Sequence, residues 1–156
     1  MLFAKADIPK NSFKSAFDMQ KKPTMIPVVA VALIDRAGRV LMHRRKLSGD
    51  HGGLWEFPGG KVEPVETLDC AMVREAAEEL GIGIDPEALV PLSFAALPGQ
   101  RHVVLLYTCR QWHGEPACLE GEAIGWFMPG ELSALAMPPL DVPLAAALCK
   151  LLERAN

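Results

Sequence analysis

Residues Gly59–Ile82 read GGKVEPVETLDCAMVREAAEELGI, and the fold follows from how that stretch is parsed. A glycine pair and Pro64 open it and Gly81 closes it, with neither Gly nor Pro from Thr67 to Leu80. Residues that favour helix fill the interval, so the stretch predicts a tight loop feeding a helix that stops at Gly81. Leu68, Met72, Ala76 and Leu80 recur every four residues and supply an apolar stripe for a core. Glu75, Glu78 and Glu79 stand at i, i+3 and i+4, which puts three carboxylates on one face. Like charges so close repel unless something positive lies between them. A solvated surface with Arg74 as partner to Glu78 would satisfy them, and so would a hard divalent cation, which takes carboxylate and carbonyl oxygens. Gly59 and Gly60 favour the cation, because glycine lets a backbone carbonyl turn toward the helix.

Gly60, Glu66, Arg74-Glu75, Glu78-Glu79 and Gly81-Ile82, in this spacing, resemble the signature of the Nudix hydrolase superfamily. One position departs from it: Ala76 stands where a bulky aliphatic is expected, which loosens a packing contact and removes no ligand. Leu54 to Pro58, Arg101-His102, Gly114-Glu115-Pro116, Glu120-Gly121 and Pro138-Pro139 extend the resemblance toward the MutT branch, which hydrolyses oxidised purine nucleoside triphosphates. It covers roughly Met25 to Leu152.

The resemblance implies an α/β/α sandwich around a central mixed β-sheet, an α+β arrangement, and a pyrophosphohydrolase that uses Mg2+, with Mn2+ as an alternative. It assigns the cation to the Gly59 carbonyl, Glu75, Glu78, Glu79 and, in the MutT branch, Glu120. Glu75 and Glu120 both stand as candidates for the general base. Glu66 and Arg74 are expected to form a buried orienting pair. Substrate contacts are expected from Arg45 and Lys61 on phosphates, from Arg101, and from Glu56, Phe57 and Pro58 around the base. In the MutT relative an Asn stands where this chain has Asp141. An ionised Asp only accepts hydrogen bonds, whereas a protonated one also donates. Asp141 is alternatively the cap of the last helix. The implied first substrate is 8-oxo-dGTP, in nucleotide-pool sanitation; the alternative is CTP, oxidised cytosine triphosphates or another nucleoside diphosphate derivative, such as a nucleotide sugar or dinucleoside polyphosphate. A non-catalytic nucleotide-binding module is a third reading, disfavoured by the intact Glu75, Glu78 and Glu79.

The rest of the chain agrees with one enzyme domain. Its 156 residues, half of them hydrophobic and 22% charged, suffice for a single core. A formal charge of −3 argues against a polymeric nucleic acid as partner but not against a free nucleotide, because a cation supplies positive charge locally. Cys70, Cys109, Cys118 and Cys149 form no Cys-x-x-Cys pair, which suggests free thiols in a reducing, cytoplasmic setting, with Cys109 in the core. No run approaches the ~20 apolar residues of a membrane span. A monomer is expected. Residues 1–24, lysine-rich with scattered Phe, read as an N-terminal extension to a domain over 25–156.

Strands are expected at Ile26–Ile34, Val40–Arg45, Leu54–Phe57, Val90–Leu97, His102–Trp112 and Ala123–Met128. A short helix is expected at Pro129–Leu135 and a long one at Asp141–Arg154, with Asp141 as its N-cap. The four histidines show no ligand spacing and read as structural or surface residues. Trp55, Trp112 and Trp126 read as core.

Overall fold

The computed structural model describes residues 25–154, so the expected N-terminal extension lies outside the described residues. Among the described residues, seven strands and two long helices follow in the order β1 (Ile26–Leu33), β2 (Val40–Arg44), β3 (Trp55–Glu56), β4 (Gly59–Lys61), α1 (Leu68–Leu80), β5 (Val90–Ala96), β6 (His102–Cys109), β7 (Ala123–Phe127) and α2 (Asp141–Arg154). Short 3-10 turns occupy Pro86–Ala88 and Pro129–Ala134.

The strands form two sheets. One is mixed, in the order β4-β1-β6-β5, with β1 parallel to β6 and antiparallel to β4. The other is antiparallel, in the order β3-β2-β7. β1 explains the layering. A strand sends successive side chains to opposite faces, and the apolar run of β1 serves both. Val29, Val31 and Leu33 pack with Ala71, Met72, Ala76 and Leu80 of α1. Ala30 and Ala32 pack with Leu144, Ala145 and Leu148 of α2. A strand buried on both faces reads as continuous hydrophobic sequence rather than alternation, and the result is an α/β/α sandwich.

Several local expectations change. Gly59–Lys61 is a strand rather than part of a loop, paired to Val28–Ala30 of β1. Its glycines are needed for close approach, since a Cβ on Gly59 would overlap the Val29 carbonyl. The strand expected at His102–Trp112 ends at Cys109, where the thiol turns to the Gln111 carbonyl. Leu68 is exposed and outside the buried stripe, whose place there is taken by Ala71. A four-residue repeat advances about 400° on a helix of 3.6 residues per turn, so over three repeats the stripe drifts off the core-facing side. Gly81 closes α1 at φ 68°, as expected, and at the other end the Thr67 side chain accepts from the Cys70 N–H and caps it.

Cys109 is buried, and all four cysteines are free. Trp112 stacks on Trp126 with ring centroids 6.0 Å apart, and Trp55 meets Phe127 edge-on at 5.1 Å. Among the described residues no helix is long and apolar enough to cross a membrane.

Candidate active site

A cleft of about 700 Å³ opens between the two sheets, with Gly59, Gly60 and Lys61 of β4 on its wall and Glu79, Glu120 and Asp141 converging on it. The segment Phe57–Gly59 is its axis. Two buried carboxylates, one from each helix, hold backbone N–H groups of this segment. From the α2 side, Asp141 Oδ1 accepts the Phe57 N–H at 2.9 Å. From the α1 side, Glu79 Oε2 accepts the Gly59 N–H at 3.0 Å. Glu79 is 8% exposed and Asp141 7%.

Burial disfavours the charged form of both. It pushes the Glu79 carboxyl up to about 7, against the pull of His43 and the Gly59 N–H, while the negative charges of Glu56 and Glu75 push further upward. Asp141 is likewise pushed up to about 7 by burial, offset in part by the Phe57 N–H and Arg45, with Glu56 again raising it.

The other two acids of the helix lie differently. Arg74 Nη1 donates to Glu75 Oε1 at 2.8 Å and to Glu78 Oε2 at 3.1 Å, and so neutralises them at the rim. The same guanidinium forks onto Glu66, Nε to Oε1 at 2.8 Å and Nη2 to Oε2 at 2.9 Å, and reaches the Lys61 carbonyl at 3.1 Å. The Glu66–Arg74 pair is therefore formed, partly rather than fully buried. Its hydrogen bonds to Arg74 and to the Glu63 N–H hold Glu66 down to about 2. The loop bends Glu66 back through Val65, which sits at φ 64° with its side chain fully exposed.

The three carboxylates of α1 thus divide: Glu79 enters the cleft, Glu75 lies against Gly60, where a Cβ would overlap it, and Glu78 stays 52% exposed. Among the described residues no three His, Cys, Asp or Glu side chains form a ready-made coordination shell. The donor set nevertheless suits a hard cation. All are oxygens, and the buried Glu79 stands among like charges that a divalent ion would offset. The group of Gly59 that engages α1 here is its N–H, not the carbonyl expected as a ligand.

The substrate-contact candidates separate in the same way. Arg45, Glu56, Phe57 and Lys61 line the cleft. Arg45 Nη1 is paired to Glu56 Oε2 at 2.6 Å, and its Nε donates to the Asp50 carbonyl. Pro58 and Arg101 do not line it; the Pro58 carbonyl accepts from Val31, and Gln100 and His102 flank Arg101 on the cleft wall. Asp141 is not an N-cap. It is the first residue of α2 itself, and its carboxylate is drawn inward to Phe57, away from its own helix.

One residue was missed. His43, 4% exposed, is neither surface nor mere filler. Its Nε2 lies 2.6 Å from the Glu120 carbonyl, and its Nδ1 lies 3.7 Å from Glu56 Oε1 without a hydrogen-bond partner. Burial opposes its protonation, but Glu56, the Glu120 carbonyl and the charge of Glu79 outweigh it and raise its pKa. The signal was present in β2: alternation puts His43 on the face of Leu41, the face toward α1.

A mixed sandwich with an acidic helix over a glycine-walled cleft defines a phosphate-anhydride hydrolase class, and the comparisons agree. The profile of the NUDIX domain matches residues 24–148. The CTP pyrophosphohydrolase of Escherichia coli is 38% identical over 127 residues, covering 81% of this chain and 93% of that one. The 8-oxo-dGTP diphosphatase of Escherichia coli is 34% identical over 125 residues, covering 79% and 96%. Among solved structures, that of the E. coli ORF135 protein superposes with a TM-score of 0.71 at 34% identity, covering 82% of this chain and 91% of that one. The chain belongs to the Nudix family. It is a hydrolase of phosphoric anhydride bonds, in a family that generally uses divalent metal ions and acts on small-molecule nucleotide substrates.

Proposed function

We propose that the protein hydrolyses nucleoside triphosphates to the monophosphate and pyrophosphate with Mg2+, Mn2+ being able to replace it, and that 8-oxo-dGTP is its first substrate. Nucleotide-pool sanitation is the corresponding role. The Gly59 carbonyl, Glu75, Glu78, Glu79 and Glu120 would hold the cation. When bound, it neutralises phosphate oxygens and acidifies water. Arg74 keeps Glu66, Glu75 and Glu78 oriented and prevents their mutual repulsion from splaying the helix face. Lys61 and Arg45 bind phosphate oxygens at the mouth of the cleft. The proton of the attacking water passes to the carboxylate cluster, whose members share it.

The observation that carries the choice of base is Asp141. It is buried at the cleft, and its carboxyl is raised to about 7 chiefly by that burial. A neutral carboxyl offers a donor and an acceptor side by side, as an amide does. That pair complements the carbonyl oxygen and the adjacent N–H of an 8-oxopurine.

CTP is the second reading, favoured by the 38% identity to a CTP pyrophosphohydrolase. An ionised Asp141 would accept from the cytosine amine instead. Pyrophosphate release from 8-oxo-dGTP, dGTP and CTP with Mg2+ tests both, and no release from any of the three removes the proposal. The pH profile separates them. With a neutral Asp141, kcat/KM for 8-oxo-dGTP relative to CTP falls as pH rises through about 7; the opposite trend selects cytosine.

A further inference from the structure

The segment that carries Glu120 has little structure of its own, yet it is tied down at several points. The Leu119 N–H donates to the Glu79 carbonyl at 2.9 Å, and the Glu122 N–H to the Arg44 carbonyl at 2.9 Å. Between these anchors the chain turns at Gly121, φ 86°, directly against the imidazole of His43: a Cβ on Gly121 would overlap Nε2. The Glu120 carbonyl then lies 2.6 Å from that nitrogen. A carbonyl only accepts, so Nε2 carries the proton there. This holds for the neutral Nε2 tautomer and for the charged ring alike, and the clamp is independent of the protonation of Nδ1.

We propose that His43 is a positioning residue, whose Nε2–H grips the Glu120 carbonyl and so fixes where the Glu120 carboxylate meets the cation bound at Glu79. The inference rests on the reading of Glu120 as a cation ligand given above. His43 lines the cleft, but this role requires no contact with substrate or metal. The imidazole acts through the backbone of the residue whose side chain meets the cation, in the manner of groups that orient metal ligands from behind. The burial of His43 is what makes the grip firm, since water is kept from competing for the carbonyl. The thiol of Cys118, 3.0 Å from the same oxygen, is a weaker donor on an exposed side chain.

The test measures Mn2+ binding to the full-length protein by electron paramagnetic resonance, alongside turnover at saturating Mg2+. His43→Leu is expected to weaken Mn2+ binding about 10-fold, the scale of losing a group that orients a ligand, and to lower kcat with KM for nucleotide unchanged. His43→Gln, whose amide N–H reaches a similar point, is expected to restore both. Glu120→Gln is expected to weaken Mn2+ binding, and adding His43→Leu to it to cost nothing further, because the two act as one unit. If Glu120→Gln weakens binding and folded His43→Leu does not, the inference fails while the Glu120 reading stands. If Glu120→Gln has no effect, that reading fails, and any effect of His43→Leu is then structural. Should His43→Leu not fold, Gly121→Ala provides the second probe: it pushes the turn off the imidazole, and unchanged Mn2+ binding in that variant overturns the inference.

Discussion

Glu79 and Asp141 sit two peptide units apart on the same segment, one from each helix, and in local geometry they are near copies. Each is buried, each accepts one backbone N–H, from Gly59 or from Phe57, and each is raised to about 7. Their neighbours differ. Glu79 stands with Glu75 and Glu56 pressing on it and the imidazole of His43 pulling the other way. Asp141 has a cation, Arg45, and one acid, Glu56, as its charged neighbours. A crowded carboxylate is relieved by a bound cation, whereas an isolated buried one is relieved by keeping its proton. Under the proposed function, the same environmental push would suit one acid to charge chemistry and the other to recognition of a neutral base.

The comparison can be broken most severely at Glu79. Glu79→Gln keeps an acceptor for the Gly59 N–H and the fold, and turnover is expected to fall at least about 100-fold, the scale of losing a principal electrostatic group. Near-normal pyrophosphate release from that variant would remove Glu79 from the chemistry. Next comes Asp141→Leu, expected to reduce kcat/KM for the preferred nucleotide about 10- to 100-fold through loss of hydrogen bonds to the base, with Mn2+ binding unchanged. Weakened Mn2+ binding there would mean that the two ends of the cleft are not separate. Arg74→Ala leaves Glu66, Glu75 and Glu78 without their shared partner. A drop in kcat of about 10-fold is expected, measured at saturating Mg2+, and an unaltered rate would show that the rim acids need no orienting.

The contrast is sharpened last through stability rather than turnover. Asp141 has its folded pKa raised to about 7 from an ordinary value of 3.8. The folded state therefore holds the proton more tightly. Stability from this group is fully present below about pH 4 and is lost as pH rises toward 7. Asp141→Asn is thus expected to match the wild type near pH 4 and to exceed it at pH 8, by about 4 kcal/mol. Urea unfolding at the two pH values reads this directly, and equal differences at both would mean that Asp141 is ionised in the fold.

Much of the fold was legible because it rests on local signals. The helix Leu68–Leu80 and its stop at Gly81 follow from propensity and backbone permission, and the doubly buried β1 follows from its unbroken apolar run. The strand at Gly59–Lys61 was not legible, because glycine has no strand preference and pairs there only since β1 lies alongside.

What the sequence determined by itself is the inventory: which acids share a helix, which glycines allow close approach, and hence the family. What only the tertiary structure decided is which of those acids are buried together. The inward turn of Asp141, the seating of Glu79 opposite it and the closure of the Glu120 turn onto His43 all join residues far apart in the chain. Burial and charge crowding are properties of surroundings, and those surroundings exist only after the two sheets have closed on each other.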